Sequence, residues 1–175
     1  MNRDYEMILN TLPSLLGGID YDVTLLSNTS ALLNDYMDEI NWVGFYLFKD
    51  GVLKLGPFQG HVACMVIPLN RGVCGACATK KETIIVSNVH EFKGHIACDS
   101  ASNSEICIPI FVNNAFYGLL DIDSPNKNSF NEVDKKNLEA AIHILEGFLE
   151  KILRKNILRK NIIFCLTEAP SNDIM

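Results

Sequence analysis

The spacing of apolar positions changes along the chain, and each spacing predicts a different element. Over residues 4–16 the apolar positions Ile8, Leu9, Leu12 and Leu16 recur at helical intervals, with Pro13 inside the run and Gly17-Gly18 after it. Over 22–38 the interval returns through Val23, Leu26, Leu33 and Met37, with Asp20 or Asp22 as the expected cap. Aromatic and β-branched residues then take over. Residues 41–48 read as a strand, Lys49-Asp50-Gly51 as its turn and 52–58 as the partner strand. Short strands over 63–69 and 83–86 flank a small-residue stretch at 74–80 that fits a helical turn. After an irregular loop over 89–103, residues 105–112 and 116–123 form a second hairpin around Asn113-Asn114. Residues 131–153 are the clearest helix, with Leu138, Ala141, Ile142, Leu145, Phe148, Leu149 and Ile152 on one face.

Two helices, several antiparallel strands and a closing helix predict an α+β domain. The predicted domain spans 1–153. A basic extension follows over 154–175, in which ILRKN at 152–156 repeats at 157–161. A five-residue repeat keeps no apolar stripe on a helix, so this segment is expected to prolong the last helix, then fray as a solvated extension.

Composition narrows the class. The 175 residues suit one domain, and 48% apolar with 21% charged residues argues for a packed core. A net charge of −6 offers no field for nucleic acid. No apolar run approaches the roughly 18 residues of a membrane span. Arg3, Asp4 and Glu6 do not fit a secretory leader. The expectation is a cytoplasmic protein with neither nucleic-acid nor membrane partners.

Six cysteines change the picture. In a reducing compartment they are buried, metal-bound or redox-active. Cys64, Cys74 and Cys98 fall at strand edges or in loops, where reactive groups concentrate. Cys107, within EICIPIF, reads as core, and Cys165 as incidental. Cys74-Gly75-Ala76-Cys77 fits a dithiol at a helix start. It equally fits half of a zinc site with Cys64, Cys98, His61 or His95. Only His95-x-x-Cys98 offers a second half-site, so no metal is expected. Asp121 and Asp123 project from one strand face, and Glu105 begins the neighbouring strand, so the three can meet. Converging carboxyls suit an ammonium ligand or a proton donor; their ordinary reading is turn-proximal acids. Neither a phosphate-binding glycine loop nor a serine elbow is present, and no cofactor is expected.

The ordered motifs NWVGFYL (41–47), LGPFQGHVAC (55–64), IPLNRGVCG (67–75), SNVHEFKGHIACDSASNSE (87–105) and GLLDIDS (118–124) closely resemble the free methionine-R-sulfoxide reductases, which are built on a GAF domain. The resemblance spans residues 20–152. It implies a six-stranded antiparallel sheet with helices on one face and the pocket on the other. It implies Cys98 as nucleophile, Cys74 as main resolving residue, and Cys64 as a further or alternative partner. Trp42, Tyr46, Glu105, Asp121 and Asp123 fall on substrate-binding positions. Cys77, Cys107, Cys165 and the repeated basic tail depart from the pattern, and Cys77 would compete for Cys74. The implied reaction reduces free methionine-R-sulfoxide, with thioredoxin as reductant and a homodimer by analogy. Two other readings remain: a GAF sensor of ligand or redox state, disfavoured because only a tail follows the last helix, and a small zinc domain.

Overall fold

The computed structural model describes residues 3–94 and 100–167. Two helices open the chain, α1 (Tyr5–Leu16) and α2 (Asp22–Tyr36). Strands β1 (Trp42–Lys49), β2 (Val52–Gly60) and β3 (Val66–Pro68) lead to α3 (Gly72–Lys80) and β4 (Ile84–Val86). After a 3-10 turn at Val89–Glu91 come β5 (Ser104–Val112), β6 (Ala115–Ser124) and α4 (Glu132–Thr167). The strands form one sheet in the order β3-β2-β1-β6-β5-β4, with antiparallel neighbours throughout. This is the predicted six-stranded α+β architecture.

The hairpin turns follow from their residues. Asp50 and Gly51 take φ of 55° and 79°, and Asn113 and Asn114 take 51° and 63°. Positive φ at both central positions gives a turn whose twist matches its strands, and Asp, Asn and Gly tolerate it best. The expected cap of α2 differs. Tyr21 occupies the cap position with extended backbone, and Asp22 is the first helical residue. The Asp22 carboxylate instead accepts hydrogen bonds from the Val23 N–H (2.9 Å) and the Tyr117 hydroxyl (3.2 Å).

Strand alternation divides the interior in two. Val43, Phe45 and Leu47, Ile106, Ile108 and Ile110, and Leu120 and Ile122 face α1, α2 and α4, whose apolar stripes include Leu12, Leu26 and Leu145. The intervening residues face the other way and meet α3. Three helices thus share one face as expected, and the short α3 covers part of the other.

Two features escaped the apolar pattern. The buried Arg3 guanidinium pairs with Asp134 at 2.8 Å and donates to Ser129 Oγ at 2.8 Å, while the Tyr5 hydroxyl donates to Asp134 at 2.7 Å. This ties the first residues to the start of α4. The last helix also runs through both ILRKN copies to Thr167. Among its described side chains the last fully packed one is Ile152, and Ile157 and Leu158 stand exposed. Leu, Arg and Lys are good helix formers, so the backbone stays helical through Ile157 and Leu158 although both are exposed. Among the described residues no helix is long and apolar enough to cross a membrane.

Candidate functional site

The site lies on the α3 side of β1, β6 and β5, and register assembles it. Asp123 sits opposite Trp42 on one neighbour and Glu105 on the other. One step along, Asp121 sits between Gly44 and Cys107. Since each strand shows every second side chain to this face, two short sequence patterns become a patch of Glu105, Cys107, Asp121 and Asp123. Glu105, Cys107 and Asp121 are buried, and Asp123 is half-buried.

Helix α3 lowers Cys74 onto this patch. Its Sγ lies 3.6 Å from Cys107 Sγ and donates to Glu105 Oε1 at 3.7 Å. The Cys107 thiol donates to Glu105 Oε1 at 3.1 Å and to Asp121 Oδ1 at 3.4 Å. Burial raises the Glu105 carboxyl well above its usual range, and the nearby Asp121 and Asp123 raise it further. Burial also raises Asp121, although hydrogen bonds from Cys74, Cys107 and Glu105 pull the other way. Two carboxyls this close and this dry resist carrying two charges at once. For Cys74, the bond with Cys107 favours the thiolate, yet burial with Asp121 and Glu105 holds the thiol well above the ordinary range. Burial raises Cys77 as well. The helix start therefore does not create a thiolate dithiol from Cys74 and Cys77. Nor does Cys77 join the donor cluster around Cys74.

The aromatic wall comes from β1 and β2. Trp42 stacks between Phe58, with centroids 5.3 Å apart, and Tyr46, at 5.9 Å. Gly44 makes room for the indole: a Cβ there would lie 2.6 Å from the Trp42 ring and collide with Phe58. Trp42 and Tyr46 also carry polar handles. The Trp42 indole N–H donates to the His61 carbonyl at 3.1 Å, and the Tyr46 hydroxyl to the Cys64 carbonyl at 3.0 Å. Both bonds pin residues 61–64 beside the wall. Cys64 there is disulfide-bonded, whereas Cys74, Cys77 and Cys107 are free thiols.

The structure thus brings Trp42, Tyr46, Cys74, Glu105, Asp121 and Asp123 to one sheet face, with Cys64 pinned beside them. Cys98 lies outside the described residues. Cys107 was read as core. It is fully buried, but its thiol meets two carboxyls and a second thiol, so it belongs to the site cluster. The available signal was its place two residues after Glu105, on the same strand face.

Comparison with known proteins finds relatives along most of the chain. The GAF domain family matches residues 19–148. The free methionine-R-sulfoxide reductase of Escherichia coli is 44% identical over 149 residues, which cover 85% of this chain and 86% of the relative. The reduced form of fRMsr of Staphylococcus aureus superposes with a TM-score of 0.82 at 48% identity, covering 84% of this chain and 96% of that one. Its complex with substrate superposes equally well, with a TM-score of 0.82 at 47% identity, covering 85% and 97%.

Proposed function

The chain belongs to the GAF-domain family of free methionine-R-sulfoxide reductases, and from that premise we propose that it reduces free L-methionine (R)-S-oxide to methionine by thiol chemistry at the β1–β6–β5 face. The observation that carries this reading is the register. It sets Glu105, Asp121 and Asp123 beside Trp42 and Tyr46 and hangs the disulfide-bonded Cys64 next to them.

The acids would hold the substrate α-ammonium through charge-assisted hydrogen bonds. Methionine within a peptide lacks that ammonium and would leave buried carboxyls without a partner, at a cost of several kcal/mol. Trp42 and Tyr46 would receive the methyl sulfoxide end, since sulfur packs well against aromatic rings.

In the chemical step the Cys98 thiolate attacks the sulfoxide sulfur. The transient sulfur–sulfur bond and the S–O bond then break as the oxygen, with a proton, passes to the cysteine sulfur, giving methionine and a Cys98 sulfenic acid. Glu105 suits the proton donor, because burial and the neighbouring acids raise its pKa and so favour the protonated form. A second thiol then attacks the sulfenic sulfur, releasing water and forming a disulfide. Cys64 is favoured over Cys74 for this first resolution. Cys64 already carries a disulfide, and Cys74 is a buried free thiol hydrogen-bonded to Glu105. Thioredoxin, as external dithiol, would return the cysteines to the reduced state by exchange.

The test supplies thioredoxin, its reductase and NADPH, and follows free methionine-R- and S-sulfoxide by chiral chromatography. The R epimer alone should disappear, and Cys98→Ser should stop its loss. Loss of neither epimer with folded, reduced wild type would refute the activity. Full turnover by Cys98→Ser would refute the nucleophile.

A further inference from the structure

Cys74, Glu105, Cys107 and Asp121 each present one donor atom, and the four atoms lie within 4.8 Å of one another. The edges of this cluster are 3.6 Å between the sulfurs, 3.1 and 3.4 Å from Cys107 Sγ to Glu105 and Asp121, and 3.7 Å from Cys74 Sγ to Glu105. A tetrahedral zinc ion, with bonds of about 2.3 Å to sulfur and about 2.0–2.2 Å to oxygen, needs edges of about 3.3–3.8 Å. Three of those four edges fall in that range, the 3.1 Å edge lies just below it, and the other two pairs lie within 4.8 Å. From this geometry we infer that Cys74, Glu105, Cys107 and Asp121 form a binding site for a soft or borderline divalent cation of the zinc class.

The donor set selects the kind of ion. Oxygen ligands alone would suit magnesium or calcium, whereas two sulfurs favour zinc and its softer neighbours. Binding is an exchange without oxidation: two metal–sulfur bonds form and the two thiol protons pass to water. The two thiolates match the charge of the dication, and the carboxyl oxygens complete the shell. Little reorganisation is needed, because Glu105 and Cys107 sit on β5, Asp121 on the adjacent β6 and Cys74 on α3, all regular elements packed in the interior. Cys107 decides the matter. Its thiol meets each of the other three donors and supplies the second sulfur. The ion would occupy the carboxyls assigned above to the substrate ammonium, so ion and substrate exclude each other; this consequence alone rests on the proposed activity.

The test is a titration of the reduced full-length chain, freed of reductant, with Co2+ as the probe, read by visible and near-ultraviolet absorption. One equivalent should produce the strong bands of tetrahedral cobalt together with sulfur-to-cobalt charge transfer. Cys107→Val should weaken binding by at least the roughly tenfold that even outer-shell losses cost, and should abolish those bands. Cys107→Ser serves if the valine variant does not fold. Cys64→Ser, outside the cluster, should retain the bands. Absence of binding in the wild type, or wild-type bands in a folded Cys107 variant, would overturn the site. No substrate is involved, so a failed titration leaves the reductase reading intact, and an inactive enzyme leaves the titration interpretable.

Discussion

Asp121 and Ile122 are neighbours on one strand, yet they belong to different materials. Ile122 enters a helix-covered layer of aliphatic side chains, while Asp121 enters a buried layer of acids, thiols and aromatics. The helix face gains stability from every apolar group it hides. The other face keeps carboxyls and thiols dry, which costs stability and leaves groups ready to meet a cation or a proton. A single sheet holds both because its side chains alternate. The apolar face supplies the rigidity that the polar face needs in order to stay assembled without a ligand.

Exchanging one residue on each face should separate the two roles. Asp121→Asn keeps the shape but removes the charge, so kcat/KM for the free amino acid should fall by the equivalent of about 2–5 kcal/mol. Steady-state kinetics checks this, and unchanged kinetics would place Asp121 outside the substrate site. Ile122→Ala should instead lower unfolding free energy by about 2–5 kcal/mol in urea titrations and leave KM near the wild-type value. A KM change as large as that of Asp121→Asn would show that the faces are not separable.

Gly44→Ala probes their boundary. The added methyl meets Phe58 and the Trp42 ring, so it should cost about 1–3 kcal/mol of stability and raise KM by displacing the indole. Tryptophan fluorescence would report the displacement directly, since Trp42 is the single tryptophan.

The smallest effect is on pH dependence. The folded-state pKa of Glu105 lies above its ordinary value of 4.5, so the folded state holds a proton that the unfolded chain releases. Stability should therefore fall as pH rises from about 4.5 toward the folded pKa, by up to about 1.4 kcal/mol per pH unit. Glu105→Gln should flatten that slope in urea titrations at successive pH values, and an unaltered slope would remove Glu105 as its source.

Much of this was legible in the sequence, because it depends on local periodicity. Helical spacing located α1, α2 and most of α4, and Asp50-Gly51 and Asn113-Asn114 marked the hairpins by their tolerance of positive φ. Period-two alternation placed Asp121 and Asp123 on one strand face before any partner was known. The prolonging of α4 through the ILRKN repeat was also expected from the sequence, although the apolar face used to place that helix ended at Ile152.

Cys107 shows where local reading stops. EICIPIF is apolar on both sides because both sheet faces are buried, so a thiol in it resembles any small core residue. Only the β5–β6 register sets that thiol against Asp121, and only the descent of α3 brings Cys74, far away in sequence, to within 3.6 Å of it. Likewise the aromatics of β1 were visible as residues, while their hold on the segment carrying Cys64 was not. Which face a side chain takes follows from spacing along the chain. Which side chain it meets there is decided by strand pairing and packing, because contacts between distant residues form only when the whole sheet closes.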